Sequence, residues 1–246
     1  MKDNFSDNSD NYAKYRPAYP TDFYEYLHTL PIQFTNAWDC GTGNGQVAIE
    51  LAKAFKHVYA TDISQSQLNN AVNAANITYA LQPAEATNFK NNFFDLIITA
   101  QAVHWFDFDK FYAEVNRTGK NNSYLIILGY GKIEIEPKVD EIINHLYKDT
   151  LGSYWDKERK YIDENYQTIP FPFDEIETPQ FSSIYLWTLE QLQGYLNTWS
   201  AVKHFIKVNK YNPVDEIMPA LKMAWGKQNQ KLVKFPLLLR IGQIRK

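Results

Sequence analysis

The sequence predicts an α/β fold, a largely parallel sheet with helices on both faces. Three observations carry that prediction. Between residues 36 and 130, short apolar runs alternate with segments whose apolar residues recur at helical spacing. The runs are apolar throughout instead of alternating with polar residues, which is the pattern of strands covered on both faces. A turn holding Gly41, Gly43 and Gly45 joins the first run directly to the segment behind it.

The elements follow in order. After a polar start, "YPTDFYEYLHTL" opens with Pro20 and Thr21 as helix-start residues and sets Phe23, Tyr26, Leu27 and Leu30 at helical spacing. "NAWDC" reads as the first strand. "GQVAIELAKAF" reads as a helix, with Val47, Ile49, Leu51, Ala52 and Phe55 turned to the sheet. "HVYATDI" is the second strand, and "SQSQLNNAVNAA" a helix capped by Ser64. "ITYALQ" and "FDLIITA" are the third and fourth strands. "DFDKFYAEVNRTG" is a helix ending near Gly119, and "SYLIILGYG" the fifth strand. Right-handed crossovers then bring the loops after the strands to one edge, where open α/β sheets bind ligands.

Beyond residue 131 the alternation stops. About fifty residues, including "PKVDEIINHLYKDTLG" and "YWDKERKYIDENYQ", read as helical and precede the strand "FSSIYLWT". Helices at "LEQLQGYLNTW" and "PVDEIMPALKMAW" and a last strand, "KFPLLLRIGQI", complete the chain. No repeat or Pro/Gly/Ser-rich linker divides it, so one domain is expected: a ligand-binding core over 12–130, a helical insertion over 131–180, and C-terminal strands and helices over 181–246.

Composition narrows the function. With 246 residues, 45% of them hydrophobic, the chain has enough material for a full core. A formal charge of -3 gives no basic field to gather nucleic acid or an anionic membrane surface. The N-terminal "MKDNFSDNSD" has no secretory apolar region, and no apolar run reaches the roughly 18 residues that cross a bilayer. The single cysteine, Cys40, has no internal disulfide partner and reads as a small buried side chain, so a reduced, cytoplasmic setting is expected. No H-x-x-x-H pair, cysteine pair, Walker motif or G-x-S-x-G is present, so no metal site is expected.

The glycine turn is the chemical centre of the sequence. Where a parallel strand passes straight into a helix, free backbone N–H groups and the positive end of the helix dipole face the crevice above the sheet. Glycines there remove the Cβ atoms that would hold a ligand off, although a merely tight turn is the alternative account of them. Asp62, nineteen residues after Gly43 and at the end of the second strand, stands where an acid accepts hydrogen bonds from both hydroxyls of an adenosine ribose. The same arrangement serves NAD. The pattern departs from the dinucleotide fingerprint in two ways: Gln46 replaces the third glycine of G-x-G-x-x-G, and Asp39 puts a carboxylate where a pyrophosphate would lie. Like charges about 4 Å apart repel by roughly 4 kcal/mol at a near-surface dielectric. A cationic ammonium or sulfonium is favoured there instead.

In order and spacing, "WDCGTGNGQVAIELA", "YATDIS", "PAEATNF" and "FDLIITAQAVHWFD" resemble the successive cofactor motifs of the class I S-adenosylmethionine-dependent methyltransferases. The likeness is greatest to the small-molecule branch that includes the trans-aconitate and ubiquinone-biosynthesis enzymes, and "YAKYRPAYP" is similar to a segment just upstream of the sheet in part of that branch. The resemblance implies a Rossmann-like seven-stranded sheet with an antiparallel last strand, and S-adenosylmethionine as cofactor. It implies that Gly41, Thr42, Gly43 and Gln46 line the methionine part, that Asp39 faces the amino group and that Asp62 binds the ribose. Ile63 would lie on the adenine, with Ala84 and Glu85 at its edge, and Gln101 would close the pocket beneath the sulfonium. Gln67 departs from the methionine that relatives often carry there.

The acceptor side is less sharply written. Tyr12, Tyr15 and Tyr19 either cover the sheet edge or fold over the cofactor, with Arg16 pairing to a carboxylate of the cofactor or the substrate. His104 and Trp105 follow the fourth strand. His104 either takes a proton from the acceptor or holds structure, and Trp105 and Tyr19 complete the set of candidate catalytic residues. The aromatic insertion, with Tyr147, Tyr154, Trp155, Tyr161 and Tyr166, is either a lid or an ordinary amphipathic cap. The expectation is a methyltransferase acting on a small organic molecule as a monomer or homodimer, set against an NAD-dependent oxidoreductase or a catalytically silent cofactor-binding protein.

Overall fold

The computed structural model describes residues 15–246. Five parallel strands form the body of the sheet: β1 (Asn36–Cys40), β2 (His57–Asp62), β3 (Ile77–Leu81), β4 (Phe94–Ala100) and β5 (Gly119–Tyr130). The last strand, β8 (Lys231–Gln243), runs antiparallel to β5, as expected. The far edge of β8 is shared end to end by two short strands. β6 (Asp174–Ile176) pairs with its C-terminal part and β7 (Ser182–Trp187) with its N-terminal part. Spatial order is β3-β2-β1-β4-β5-β8, followed by that divided edge. Seven strand positions are therefore filled by eight segments; the three-residue β6 carries too short a pattern to be read from the sequence.

The continuous apolar strands owe their character to two cores. Along β4 and β5, Leu96, Ile98, Ile126 and Leu128 enter one cluster with Phe23, Val47, Ala48 and Leu51, while Ile97, Leu125 and Ile127 enter another with Trp38, Phe94, Phe111 and Val115. Successive side chains point to opposite faces, and both faces are dry. Each such side chain, fully buried, contributes roughly 1.5–3 kcal/mol. The helices α1 (Thr21–Leu27) and α2 (Gln46–Leu51) cover the first face, and α4 (Phe108–Thr118) the second. The Asp107 carboxylate caps α4 by accepting from the Lys110 amide at 3.3 Å.

Three segments differ from the sequence expectation. The helix after β2, α3 (Gln65–Asn69), keeps the Ser64 cap but stops short of "AVNAA". There the Val72 amide donates to the Asn44 carbonyl at 3.1 Å and the Tyr79 hydroxyl to the Val72 carbonyl at 2.6 Å, so tertiary bonds replace the helical ones. The insertion begins with α5 (Pro137–His145), but "YWDKERKYIDENYQ" forms only short turns and the single-turn α6 (Lys160–Asp163). Asn165 and Tyr166 then adopt φ of 53° and 60°, and the buried Tyr166 ring packs against Gly129 of β5, where a Cβ would meet it at 2.7 Å. Finally, α7 (Leu189–Asn197) and α9 (Pro213–Trp225) are joined by α8 (Ser200–Asn209), which the sequence reading passes over. An aromatic cluster of Tyr147, Trp199, Tyr195, Trp187 and Phe235 ties the insertion to the C-terminal helices and to β8.

Candidate functional site

The strand order reverses between β1 and β4, and the crevice above their C-terminal ends is the site. A cleft of about 1050 Å3, open to solvent, lies there. Its floor is the turn between β1 and α2. Gly43 has φ of 56°, in the left-handed region that favours glycine, and an added Cβ would meet nothing closer than the Gln67 side-chain oxygen at 3.8 Å, so its bare backbone borders the cleft. Gly45 serves packing instead, since a Cβ there would stand 2.2 Å from the Tyr79 hydroxyl.

Two carboxylates hold this turn. Asp39 is fully buried on β1, and its Oδ2 accepts from the Thr42 hydroxyl at 2.6 Å, while its Oδ1 accepts no hydrogen bond from the described residues. Burial pushes its pKa up to about 7, against the Thr42 hydroxyl and the nearby Ala48 amide, which makes no hydrogen bond to Oδ1 but draws the value down, and the Asp62 carboxylate adds to the rise. Asp62 accepts from the Gly43 amide and the Ser64 amide, each at 2.8 Å, and so clamps the turn to the end of β2. Asp39, Asp62 and Arg16 are the charged residues of the cleft lining among the described residues. A buried carboxyl oxygen without a donor is a place for an ammonium, and the pair of acids opposes a diphosphate.

Most of the residues singled out from sequence meet here. Gly41, Thr42, Gln46, Ile63, Ala84, Gln101, Trp105, Arg16 and Tyr19 all line the cleft with Asp39, Gly43 and Asp62. Gln101 turns the chain at the end of β4 with φ of 53°, its amide donating to the Leu128 carbonyl at 2.8 Å and its side-chain amide to the Tyr130 carbonyl at 3.1 Å. Such a backbone in a residue other than glycine persists where surrounding bonds fix it. Gln67, buried, forms part of the wall.

Other residues lie elsewhere. Glu85 stands outside the lining, its carboxylate accepting from the Asp107 amide at 3.1 Å, and Gln82 takes the place beside Ala84. His104 faces away from the cleft into a second hollow of about 650 Å3. It is buried with Nδ1 3.4 Å from the Tyr166 hydroxyl, and burial, helped by the nearby Arg159, lowers its pKa to about 3. At neutral pH it is an uncharged imidazole. Tyr12 lies outside the described residues.

The sequence reading missed Tyr130 and the second hollow. Arg16 donates to the Tyr130 hydroxyl at 2.8 Å and to the Thr198 carbonyl at 3.2 Å, which anchors the N-terminal segment between β5 and the C-terminal helices. The second hollow is walled by residues of the insertion and of α8, among them Trp155, Asp156, Arg159 and Lys203, and meets the cleft at Arg16, Gln101 and Trp105. Tyr130, at the end of the fifth strand, was findable from topology alone. The insertion residues were not, because nothing in their local pattern says which sheet edge they return to.

Comparison with known proteins agrees with this geometry. A family model described as a methyltransferase domain matches residues 38–127. A Dictyostelium discoideum protein named as a methyltransferase is 34% identical over 98% of this chain and 95% of its own length. One from Saccharomyces cerevisiae, named as an S-adenosylmethionine-dependent methyltransferase, is 24% identical over 83% of each chain. A solved chain from Anaeromyxobacter dehalogenans, named as a type II methyltransferase, is similar with TM-score 0.87 and 36% identity, covering 94% of this chain and 98% of its own.

Proposed function

The chain belongs to the class I S-adenosylmethionine-dependent methyltransferases, and on that premise we propose that it methylates a small organic acceptor. S-adenosylmethionine is the cofactor, and its sulfonium supplies an already activated methyl group. Asp39 receives the amino group on its open Oδ1, while Gly41, Thr42, Gly43 and Gln46 border the methionine part. Asp62, whose oxygens keep lone pairs beyond their two backbone donors, takes the ribose hydroxyls. Ile63 and Ala84 flank the adenine. Gln101 and Trp105 stand where the cleft opens into the second hollow, and Tyr19 closes the cleft from the N-terminal side.

The chain's contribution to rate is placement and dryness. Orientation of two reactants lowers a barrier by up to about 7–11 kcal/mol when water is kept out. With His104 buried outside the cofactor cleft and set against the Tyr166 hydroxyl, the acceptor is one that needs little help in losing a proton, or none. His104, stacked on the buried Tyr166 ring at 6.2 Å, forms part of the wall of the hollow.

The single observation that carries the reading is the cleft over β1 and β4, with a buried Asp39 oxygen that no described residue donates to, beside a smaller hollow that shares Arg16, Gln101 and Trp105 with it. Walled by side chains of the insertion and of α8, that hollow suits a small-molecule acceptor. No described helix is long and apolar enough to cross a membrane, and the free, buried Cys40 suits a reducing, cytoplasmic setting. The test is a methyl-transfer screen with isotopically labelled cofactor against cell metabolites, with the product identified by mass. A labelled small molecule is the expected result. Tight S-adenosylhomocysteine binding without transfer to any acceptor would favour a silent binding protein instead.

A further inference from the structure

Arg159 is fixed in place by its own neighbours. Its Nε donates to the Tyr147 hydroxyl at 2.9 Å, and that hydroxyl in turn donates to Asp163 Oδ1 at 2.6 Å. The guanidinium lies against two rings, 4.8 Å from the Trp155 centroid and 5.5 Å from that of Tyr147. The side chain is therefore held before any ligand arrives, so less rotamer entropy is lost on binding. Its two terminal amino groups make no hydrogen bond, and the charge meets no carboxylate within ion-pair distance, among the described residues. That leaves the planar fork that matches a carboxylate bidentately.

Position decides what the fork would hold. Arg159 borders the second hollow and a third, smaller one beyond it, but not the cofactor cleft; the residues shared with the cleft are Arg16, Gln101 and Trp105. An anion on Arg159 thus sits at the end remote from the cofactor. Arg16 and Lys203 add positive charge to the same lining, and Asp156 is its one acidic residue among the described residues. The Arg159 charge itself favours an anion, while the presence of Asp156 disfavours a dianion. Trp105, Trp155 and Ile162 give the hollow flat apolar walls.

We propose that this hollow is an organic-acid subsite: Arg159 grips a monoanionic carboxylate on a flat, apolar body, and the atom to be methylated lies at the opposite end, beside Trp105. The carboxylate is an anchor and not the methylated group. This rests on the reading of the hollow as the acceptor site.

The test uses the full chain saturated with S-adenosylhomocysteine and binding calorimetry with benzoate, 4-hydroxybenzoate and trans-cinnamate, each beside its neutral amide, and with phenyl phosphate. At least one acid binds more tightly than its amide. Arg159→Gln weakens that acid by roughly ten- to a hundredfold, the range for a hydrogen bond to a charged group, and leaves the amide unchanged. Arg159→Lys recovers part of the loss. S-adenosylhomocysteine affinity stays at the wild-type value in both variants, which shows the fold intact. Equal binding of acids and amides, no binding by any acid, tighter binding of phenyl phosphate, or full acid affinity in Arg159→Gln would each overturn the proposal. Failure of the family function would show differently, as absent S-adenosylhomocysteine binding.

Discussion

With Oδ1 lacking a donor, the buried Asp39 carboxyl of the free chain holds its proton up to about pH 7. The ammonium of the cofactor calls for the ionised form. Cofactor affinity should therefore rise as pH rises through 7, by about tenfold between pH 6 and 8 if only the ionised form binds. Calorimetric titration of S-adenosylhomocysteine over that range checks this, and Asp39→Asn should flatten the profile and weaken binding throughout. For the stability of the free chain the sign is opposite. A carboxyl raised in the folded state gives stability that is fully present below its ordinary pKa and lost as pH rises towards about 7. Arg16 spans the junction of the two cavities, so Arg16→Ala should raise the KM for cofactor or acceptor; unchanged kinetics for both would remove it from the site. At this scale the sequence was informative wherever a residue's task is fixed by its distance from a strand end, as for Asp39, Gly43, Asp62 and Gln101. It was silent on Arg159, whose meaning depends on a fold-back of the insertion that no local spacing records.

The elements show the same division. The strands were legible because their side chains alternate between two apolar cores, and that demand is written into "LIITA" and "YLIIL". Helix starts with a side-chain cap were legible too, as at Ser64. The end of α3 was not, because the Val72 and Tyr79 bonds that break it are tertiary. In the insertion, apolar and aromatic spacing suggested long helices, yet the positive φ of Asn165 and Tyr166 and the seat of the Tyr166 ring on Gly129 win over helical continuation. α7 offers a clean test of a local term. Thr188 accepts from the Gln191 amide at 3.3 Å, and the Gln191 side chain accepts from the Thr188 amide at 2.8 Å, a reciprocal cap remote from the cofactor cleft. Thr188→Ala should cost about 1 kcal/mol of stability with cofactor affinity unchanged, read from denaturant unfolding and calorimetry side by side.

Across the whole molecule, the order of strands places the switch point, the switch point places the cleft, and the insertion closes a second hollow against it. The insertion is held by aromatic packing on β8 and the C-terminal helices, so its shape depends on residues about fifty positions away, such as Trp199 against Tyr147 at 5.6 Å. The cofactor half of the function was therefore readable in a contiguous stretch of sequence, whereas the acceptor half is assembled from distant pieces. The central claim is that two acids around a bare-backbone turn, the buried Asp39 and the half-buried Asp62, select an ammonium-bearing sulfonium or thioether nucleoside over a diphosphate. Thermal unfolding with S-adenosylhomocysteine and, separately, NAD tests it most directly. At 100 times its Kd a ligand stabilises by about 2.7 kcal/mol, or roughly 5–10 °C in Tm for a chain of this length. S-adenosylhomocysteine, which carries the same ammonium and ribose, should produce that rise and NAD none, whereas a rise with NAD and none with S-adenosylhomocysteine would contradict the account.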